Sequence, residues 1–163
     1  MIKIRPIHPD ETAVAKRVVY RVAHEIFNDQ DSLEESIAYQ EARAELKDMD
    51  DIQKNYFENG GVFLVMEDED RIIGTGAIRK MDEGICELRR LWFLSEYHGR
   101  GFGYRMIMEL LRIARELGYV KIRLETAPVH QQRAYELYKR LGFYEIPKYH
   151  TTHEDDVAME MSL

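Results

Sequence analysis

The hydrophobic positions of the chain change their spacing about a third of the way along it, and this change separates predicted helices from predicted strands. In the first part, Ile2–Ile4 alternates as a short strand, and Pro9-Asp10-Glu11 has the proline and the acids of a helix start. That helix is predicted to run to about Asn28. The acidic stretch that follows, with Ser32 as a candidate cap, is predicted to form one or two helices that end near Asn59-Gly60-Gly61.

The remainder of the chain combines strands with helices. Three predicted strands come first, joined by short turns that favour an antiparallel meander. Two later helices each carry apolar residues every three or four positions and are followed by a glycine, Gly118 or Gly142. The predicted elements are strands Val62–Met66, Ile72–Ile78 and Ile85–Leu94, helix Tyr104–Leu117, strand Val120–Glu125, helix Gln131–Leu141, and strands Phe143–Ile146 and Val157–Met161. This order predicts a mixed α/β or α+β fold, with helices on both faces of the sheet.

Composition and length narrow the class of protein. The 163 residues are 45% hydrophobic and 33% charged, as in globular proteins, and no repeat or linker divides them, so we expect a single domain over residues 1–163. No apolar run approaches the roughly 18 residues of a membrane span, and the N terminus lacks the apolar core of a signal peptide. We therefore expect a cytoplasmic protein with no membrane partner. The single cysteine, Cys86, excludes an internal disulfide and a cysteine-based zinc cluster, and we expect it to be a small buried hydrophobe.

The charge is acidic and concentrated in one segment. The formal net charge is −7, and residues 29–58 alone hold ten acids and three bases. Because neutralisation of phosphates dominates the affinity of proteins for nucleic acid, an acidic chain without a basic stripe predicts no nucleic-acid partner. The acidic segment is most simply interpreted as the solvated face of a helix.

A glycine-rich turn between a predicted strand and a predicted helix is the most informative motif. It runs from His98 through Gly99, Arg100, Gly101, Phe102 and Gly103 to Tyr104. Glycines let a ligand approach the backbone closely, and the first free N–H groups of a helix attract anions, so the turn could hold a phosphate. The dinucleotide pattern GxGxxG fails because Tyr104 stands at its last position. A tight strand-to-helix turn without a ligand is the alternative.

Four runs of the sequence resemble the GNAT superfamily of acetyl-coenzyme A dependent N-acetyltransferases. They are Glu87–Phe93, His98–Gly103, Gln131–Ala134 and Leu137–Phe143. The resemblance implies a central mixed sheet of six to seven strands that splays between strands 4 and 5. The pyrophosphate pattern of the family, Gln/Arg-x-x-Gly-x-Gly/Ala, is met with His98 at its first position. The proline before that loop is Ser95 here, and the asparagine near the start of the last helix is Gln131.

The resemblance also implies acetyl-coenzyme A as co-substrate and a set of residues that contact it. The backbone of Leu91, Trp92 and Phe93 would pair with the pantetheine arm like an additional strand. The loop would hold the pyrophosphate through His98, Gly99, Arg100, Gly101, Phe102, Gly103 and Tyr104, and Gln131 would contact the cofactor at the last long helix. No metal is expected.

Two residues are candidates for the proton transfers. By resemblance, Tyr138 would protonate the departing thiolate, whereas its place on an apolar stripe also suits a packed core residue. Glu87 is the candidate base, because it matches a position where many family members have a glutamate, whereas a strand carboxylate beside Arg89 also suits a salt bridge. For each residue both interpretations stay open at this point.

Three further groups of polar residues are weaker candidates. Arg89 and Arg90 could clamp a substrate carboxylate, although paired arginines on a strand more often form ion pairs. The run from His150 to Asp156 contains side chains that can bind metals, but with no third partner in evidence it is interpreted as a solvated loop. In the family the acidic segment would wall the acceptor site, where it would suit a cationic amine or a basic peptide.

The predicted function is transfer of an acetyl group from acetyl-coenzyme A to a primary amine of a small molecule or peptide, by direct attack in a ternary complex. The alternatives are a module that binds or senses acyl-coenzyme A without turnover, and an acyltransferase with another donor or acceptor. An acidic interaction module that acts through residues 29–58 is a third alternative. The identity of the acceptor and a homodimeric assembly are left open.

Overall fold

The computed structural model describes residues 1–27, 31–150 and 153–163. Its strands are β1 (Ile2–Pro6), β2 (Val62–Asp68), β3 (Arg71–Asp82), β4 (Ile85–Phe93), β5 (Lys121–Thr126), β6 (Tyr144–Ile146) and β7 (Val157–Ser162). They form one sheet in the order β1-β2-β3-β4-β5-β7-β6, in which β4 and β5 are parallel and the other neighbours are antiparallel. The predicted mixed sheet and the β2-β3-β4 meander are therefore confirmed.

The helices lie on both faces of this sheet, as predicted. They are α1 (Thr12–Ile26), α2 (Leu33–Ala42), α3 (Phe102–Glu116) and α4 (Gln132–Leu141). Ser32 caps α2, because its side-chain oxygen accepts a hydrogen bond from the N–H of Glu35 at 3.2 Å. The predicted end of α1 near Asn28 lies outside the described residues.

The acidic segment forms α2 and two short helical turns rather than two full helices. A 3₁₀ turn, Lys47–Asp51, leads into a π-helical turn, Gln53–Phe57. Met49 and Tyr56 of these turns are fully buried, so they attach the segment to the core. Most of its described acids face outward as predicted; Asp48 is an exception, with a side chain only 10% exposed. Residues 29 and 30 lie outside the described residues.

The packing of α3 on β3 depends on a glycine inside the strand. A Cβ atom on Gly76 would lie 2.6 Å from Cγ of Met106 and 3.1 Å from Cδ1 of Leu110. The missing side chain therefore allows the fully buried residues of α3 to pack directly on the strand backbone.

In the part of the chain that the structure describes, no helix combines the length and apolar character that a membrane crossing needs.

The sheet opens between β4 and β5. These strands pair only from Ile85 with Lys121 to Glu87 with Arg123. β5 continues to Thr126 alongside β7, while β4 continues to Phe93 alongside β3. Beyond Glu87, the edge of β4 that faces β5 has no neighbouring strand among the described residues. This is the splay that the family resemblance implies, and it creates a cleft inside the sheet.

Candidate active site

The cleft between β4 and β5 has a volume of about 210 Å³. It brings together five residues that the sequence analysis named as site residues, namely Glu87, Leu91, Trp92, Gln131 and Tyr138. Its remaining lining residues are Leu88, Arg89, Arg90, Glu125, Thr126 and His150. The predicted cofactor residue Phe93 is buried at the end of β4 and does not line the cleft.

A β-bulge reshapes β4 where it borders the cleft. Thr75 pairs with Trp92 and Ala77 pairs with Arg89, so Arg90 and Leu91 together stand opposite the single residue Gly76. Arg90 has a φ of +55°, and its carbonyl oxygen accepts a hydrogen bond from the Thr75 hydroxyl at 2.6 Å. A bulge bends its strand and redirects the side chains that follow, so this one sets the direction of the Leu91–Phe93 backbone.

The glycine turn follows β4 through a short 3₁₀ turn at Ser95–Tyr97. Gly101 takes a φ of +79° as the N-cap of α3, and α3 begins at Phe102, two residues before its predicted start. The first helical hydrogen bond runs from the N–H of Arg105 to the carbonyl of Gly101. The N–H groups of the three residues between them, Phe102, Gly103 and Tyr104, have no backbone partner among the described residues and are therefore free to bind an anion.

The backbone N–H groups of this turn are free, but its larger side chains make contacts elsewhere. The ring of His98 turns back and donates a hydrogen bond from Nε2 to the carbonyl of Phe93 at 2.8 Å, so it fixes the turn to the end of β4. Arg100 stacks on Tyr97 at 5.1 Å from the ring centroid. The side chain of Tyr104 is 48% exposed and lies on the outer face of α3, away from the cleft. Tyr104 can therefore contact a ligand at the turn through its backbone N–H but not through its side chain.

Arg133 lies beside the glycine turn, although no sequence pattern indicates a role for it in the site. Its Nη1 atom lies 3.8 Å from the position that a Cβ atom would take on Gly99. A guanidinium beside free N–H groups would strengthen the binding of a phosphate. Arg133 stands in one of the runs that carry the family resemblance, but only the fold brings the start of α4 next to the turn.

Tyr138 is a packed core residue that also lines the cleft. It is 5% exposed and packs against Phe143, with ring centroids 5.6 Å apart, so it is a core residue. It also lines the cleft, and its hydroxyl makes no hydrogen bond to any described residue. Burial raises the pKa of Tyr138 above its usual range, so the hydroxyl keeps its proton at neutral pH. A protonated hydroxyl is what a proton donor needs.

Glu87 lies in the cleft within a network of ion pairs. Its carboxylate is 3.4 Å from Arg79 and 3.6 Å from Arg89, and its side chain is 6% exposed. The structure therefore confirms the predicted salt bridge with Arg89. Glu87 also lines the cleft, so the salt bridge does not remove it from the candidate site.

The described part of the run from His150 to Asp156 is a largely exposed loop, as predicted, but His150 has partners in the fold that the sequence does not indicate. Its Nδ1 atom donates a hydrogen bond to Oε1 of Glu125 and lies 3.9 Å from Oε2 of Glu87. Its ring packs at 4.8 Å from that of Tyr149, whose hydroxyl is buried without a hydrogen-bond partner among the described residues. Thr151 and Thr152 of this loop lie outside the described residues.

Glu87, Glu125 and His150 are also the types of residue that bind metal ions. One ligand atom from each lies within 4.8 Å of the others. However, Arg79 and Arg89 already balance the charge of Glu87, and the His150 ring already donates to Glu125. A cation would compete with all three of these contacts. We therefore interpret the cluster as a hydrogen-bond and ion-pair network rather than a metal centre.

Arg90 lines the cleft, but its guanidinium is not free to clamp a substrate carboxylate. It forms a two-point interaction with Asp48, with Nε 3.1 Å from Oδ2 and Nη2 close to Oδ1. Burial opposes ionisation of Asp48, but the hydrogen bonds and charge of Arg90, with Arg89 at 3.9 Å, outweigh it and lower the pKa of Asp48 to about 2. Tyr56 also donates to Asp48. The ion-pair interpretation of Arg90 is confirmed.

Cys86 is fully buried, and burial raises the pKa of its thiol to about 12. A thiol with this pKa is not a nucleophile at neutral pH. The prediction that Cys86 is a small buried hydrophobe is confirmed.

Comparison with solved structures supports the fold. An acetyltransferase of the GNAT family from Staphylococcus aureus Mu50 aligns with a TM-score of 0.83 at 18% identity, over 99% of both chains. The PaiA N-acetyltransferase of Thermoplasma acidophilum, solved in complex with coenzyme A, aligns with a TM-score of 0.78 at 20% identity, over 100% of this chain and 99% of its own. At these identities the likeness concerns the fold alone.

Curated relatives match part of the sequence. N-acetyltransferase YjgM of Escherichia coli (strain K12) is 31% identical over 101 residues, which are 60% of each chain. Human N-acetyltransferase 8B is 38% identical over 102 residues, which are 59% of this chain but 44% of the relative. The matched region thus spans about half the length of these relatives. The model of the acetyltransferase (GNAT) family matches residues 22–143, and the chain therefore belongs to this family.

Proposed function

We propose that the protein transfers an acetyl group from acetyl-coenzyme A to a primary amine of a small molecule or peptide, by direct attack in a ternary complex. Membership of the family supports this reaction, and so does the binding of coenzyme A by the PaiA relative. Three features of the structure support it further: an unpaired strand edge at the cleft, a glycine turn with free N–H groups after β4, and Tyr138, which lines the cleft.

The proposal depends most on the empty space beside Gly103 at the start of α3. Gly101 needs to be glycine because its φ is +79°. Gly103 has no such backbone requirement, and a Cβ atom there would meet only Cε2 of Phe93, at 4.0 Å. The fold therefore leaves room for a side chain that the sequence does not supply. A ligand that approaches the free N–H groups of α3 explains this gap, and the pyrophosphate of coenzyme A has the matching charge and shape.

The open edge of β4 would hold the rest of the cofactor. Because β4 loses its neighbour after Glu87, the backbone of Leu91 and Trp92 borders the cleft without a strand beside it, and Phe93 follows them at the end of β4. An amide-containing pantetheine arm can pair with such an edge as a strand does. This arrangement would place the thioester in the cleft, next to Tyr138.

The chemistry then needs two proton transfers. An alkylamine with a pKa near 10 is neutral in only about one molecule in a thousand at pH 7, so a base has to take its proton. The amine nitrogen attacks the thioester carbon, and the C–S bond breaks as the carbonyl re-forms. The Tyr138 hydroxyl donates its proton to the departing sulfur.

Gly103→Val should weaken acetyl-coenzyme A binding at least tenfold, or by about 1.4 kcal/mol, because the added methyl groups occupy the proposed pyrophosphate position. Calorimetric titration with acetyl-coenzyme A measures the change. Thermal unfolding should show a folded protein, since the new Cβ meets no atom closer than 4.0 Å.

Met108→Val is the matched control, because it places the same β-branched side chain on the outer face of α3, where the Met108 side chain is 39% exposed. This control should bind acetyl-coenzyme A as the unmodified protein does. Unchanged affinity in folded Gly103→Val would remove the glycine turn from the binding site.

A further inference from the structure

We propose that the paired side chains of His150 and Glu125 form the proton-accepting group of the reaction, with His150 as the catalytic base and Glu125 as its positioning residue. This inference rests on the proposed function and deepens it. It depends on the hydrogen bond from Nδ1 of His150 to Glu125. Both residues line the same cleft as Tyr138.

The hydrogen bond determines which ring nitrogen can accept a proton. When Nδ1 carries a proton and donates it to the Glu125 carboxylate, Nε2 of the neutral ring holds a lone pair. In the part of the chain that the structure describes, Nε2 of His150 has no hydrogen-bond partner. The carboxylate then stabilises the imidazolium that forms when Nε2 takes the proton of the amine.

The burial of the two partners suits this division of roles. The Glu125 side chain is 16% exposed, and its second oxygen, Oε2, is buried without a hydrogen-bond partner among the described residues. The side chain of His150 is 48% exposed. A half-exposed ring can accept a proton inside the cleft and then release it to solvent, which restores the base for the next turnover.

Glu87 is less suited to this step. Two arginines, Arg79 and Arg89, lie within 3.6 Å of its carboxylate, and its side chain is only 6% exposed. Proton transfer to Glu87 would leave these guanidinium groups without their counter-charge. At 3.9 Å from Nδ1 of His150, the Glu87 carboxylate instead lies beside the ring as a neighbouring negative charge.

The charged and titratable groups around His150 come from three strands and from its own loop. They are Glu87 and Arg89 of β4, Arg79 of β3, Glu125 and Arg123 of β5, and Tyr149. Burial first, and then the charges of Glu87 and Glu125, raise the pKa of Tyr149, so this neighbour stays neutral at the pH of the reaction.

The proton and electron balance of the step is complete. The ammonium form of the acceptor gives one proton to Nε2 of His150, and the freed lone pair forms the new C–N bond. The C–S bond breaks, and the sulfur takes the proton of Tyr138. After the C–N bond has formed, the nitrogen loses a second proton, which passes through the cleft to the tyrosinate and restores Tyr138. His150 releases the first proton to solvent, so one proton leaves the protein for each acetyl group transferred.

The test uses His150→Gln, which keeps an N–H that can reach Glu125 but has no basic nitrogen. At pH 7 the kcat/KM for the amine should fall at least tenfold, while the affinity for acetyl-coenzyme A stays the same. The deficit should shrink towards twofold at pH 9, because the neutral fraction of an amine with a pKa near 10 rises about a hundredfold over this range and a base is needed less. Glu125→Gln should lower kcat/KM for the amine by a smaller factor, and this loss should also shrink from pH 7 to pH 9.

The assay measures N-acetylated product over a panel of a linear diamine, a free amino acid, an arylalkylamine and a peptide with a free α-amino group. His153→Gln, on the same loop and outside the cleft, is the matched control and should retain full activity. A deficit of His150→Gln that stays constant from pH 7 to 9, or full activity at pH 7, would overturn the inference. So would a pH-dependent deficit found in Glu87→Gln but not in His150→Gln.

Failure of the proposed function has a different signature. An unmodified protein that binds acetyl-coenzyme A and forms no N-acetylated product on any amine of the panel contradicts the proposed function and this inference together. Product formation that is unaffected by His150→Gln contradicts this inference alone.

Discussion

Replacement of Tyr138 by phenylalanine should lower kcat by about 10²-fold or more, with the affinity for acetyl-coenzyme A nearly unchanged. The phenylalanine ring keeps the packing against Phe143 and removes only a hydroxyl that has no hydrogen-bond partner among the described residues. The departing thiolate then lacks its proton donor. Single-turnover rates should be measured beside kcat, because slow product release would hide part of the loss.

Tyr135→Phe is the matched control for this prediction. Tyr135 lies one turn earlier on α4, and its hydroxyl donates to Glu145. Its replacement should leave single-turnover rates unchanged. Tyr138→Phe should also unfold at nearly the same temperature as the unmodified protein, because no described hydrogen bond is lost. Wild-type single-turnover rates in Tyr138→Phe from pH 6 to 9 would show that Tyr138 is a core residue only.

The parts of the fold that follow from local sequence were predictable. Val62–Met66 of β2 is a continuous apolar run, and α3 and α4 carry apolar stripes closed by Gly118 and Gly142, so the hydrophobic pattern alone locates these elements. The start of α3 was placed two residues late, because Gly101 at the N-cap lets the helix begin inside the glycine motif. Element ends depend on such single-residue conformations, which hydrophobic periodicity does not report.

The cleft itself could be predicted only through the family resemblance. Pattern and spacing do not show that β4 and β5 stop pairing after Glu87, because the extent of pairing between strands this far apart in the chain is a tertiary feature that local patterns do not report. The β-bulge at Arg90 leaves no local signal either, since a left-handed conformation at an arginine is not favoured by the residue itself.

Long-range contacts explain the remaining differences. Asp48 and Arg90 are 42 positions apart, and His150 and Glu125 are 25 positions apart. Alternation along β5 places Glu125 on the same face as Arg123, but no sequence pattern shows that the loop after β6 folds over that face. The sequence therefore predicts only a solvated loop around His150, whereas in the fold its half-exposed ring lines the cleft.

Arg90→Met should destabilise the protein by about 3–5 kcal/mol, the usual cost of removing one partner of a buried ion pair. The side chains of Arg90 and Asp48 are 13% and 10% exposed, and Asp48 would be left without its two-point partner. Unfolding in urea at pH 7 measures the change. Met fills much of the volume of Arg, so the loss reports the unpaired carboxylate more than a cavity.

The pH dependence of this loss separates the ion pair from general packing. The pKa of Asp48 is lowered to about 2 in the folded protein from an ordinary value of 3.8, so its contribution to stability is present above about pH 4 and is lost as the pH falls towards 2. The difference in unfolding free energy between Arg90→Met and the unmodified protein should therefore narrow below pH 4.

Arg17→Met, which removes the exposed pair with Glu34, should change stability little at any pH. Adding Asp48→Asn to Arg90→Met should recover part of the loss at pH 7, because the unpaired charge is gone. An Arg90→Met deficit that is small at pH 7, or that is unchanged from pH 7 to 3, would show that the Asp48–Arg90 pair does not hold the acidic segment to β4.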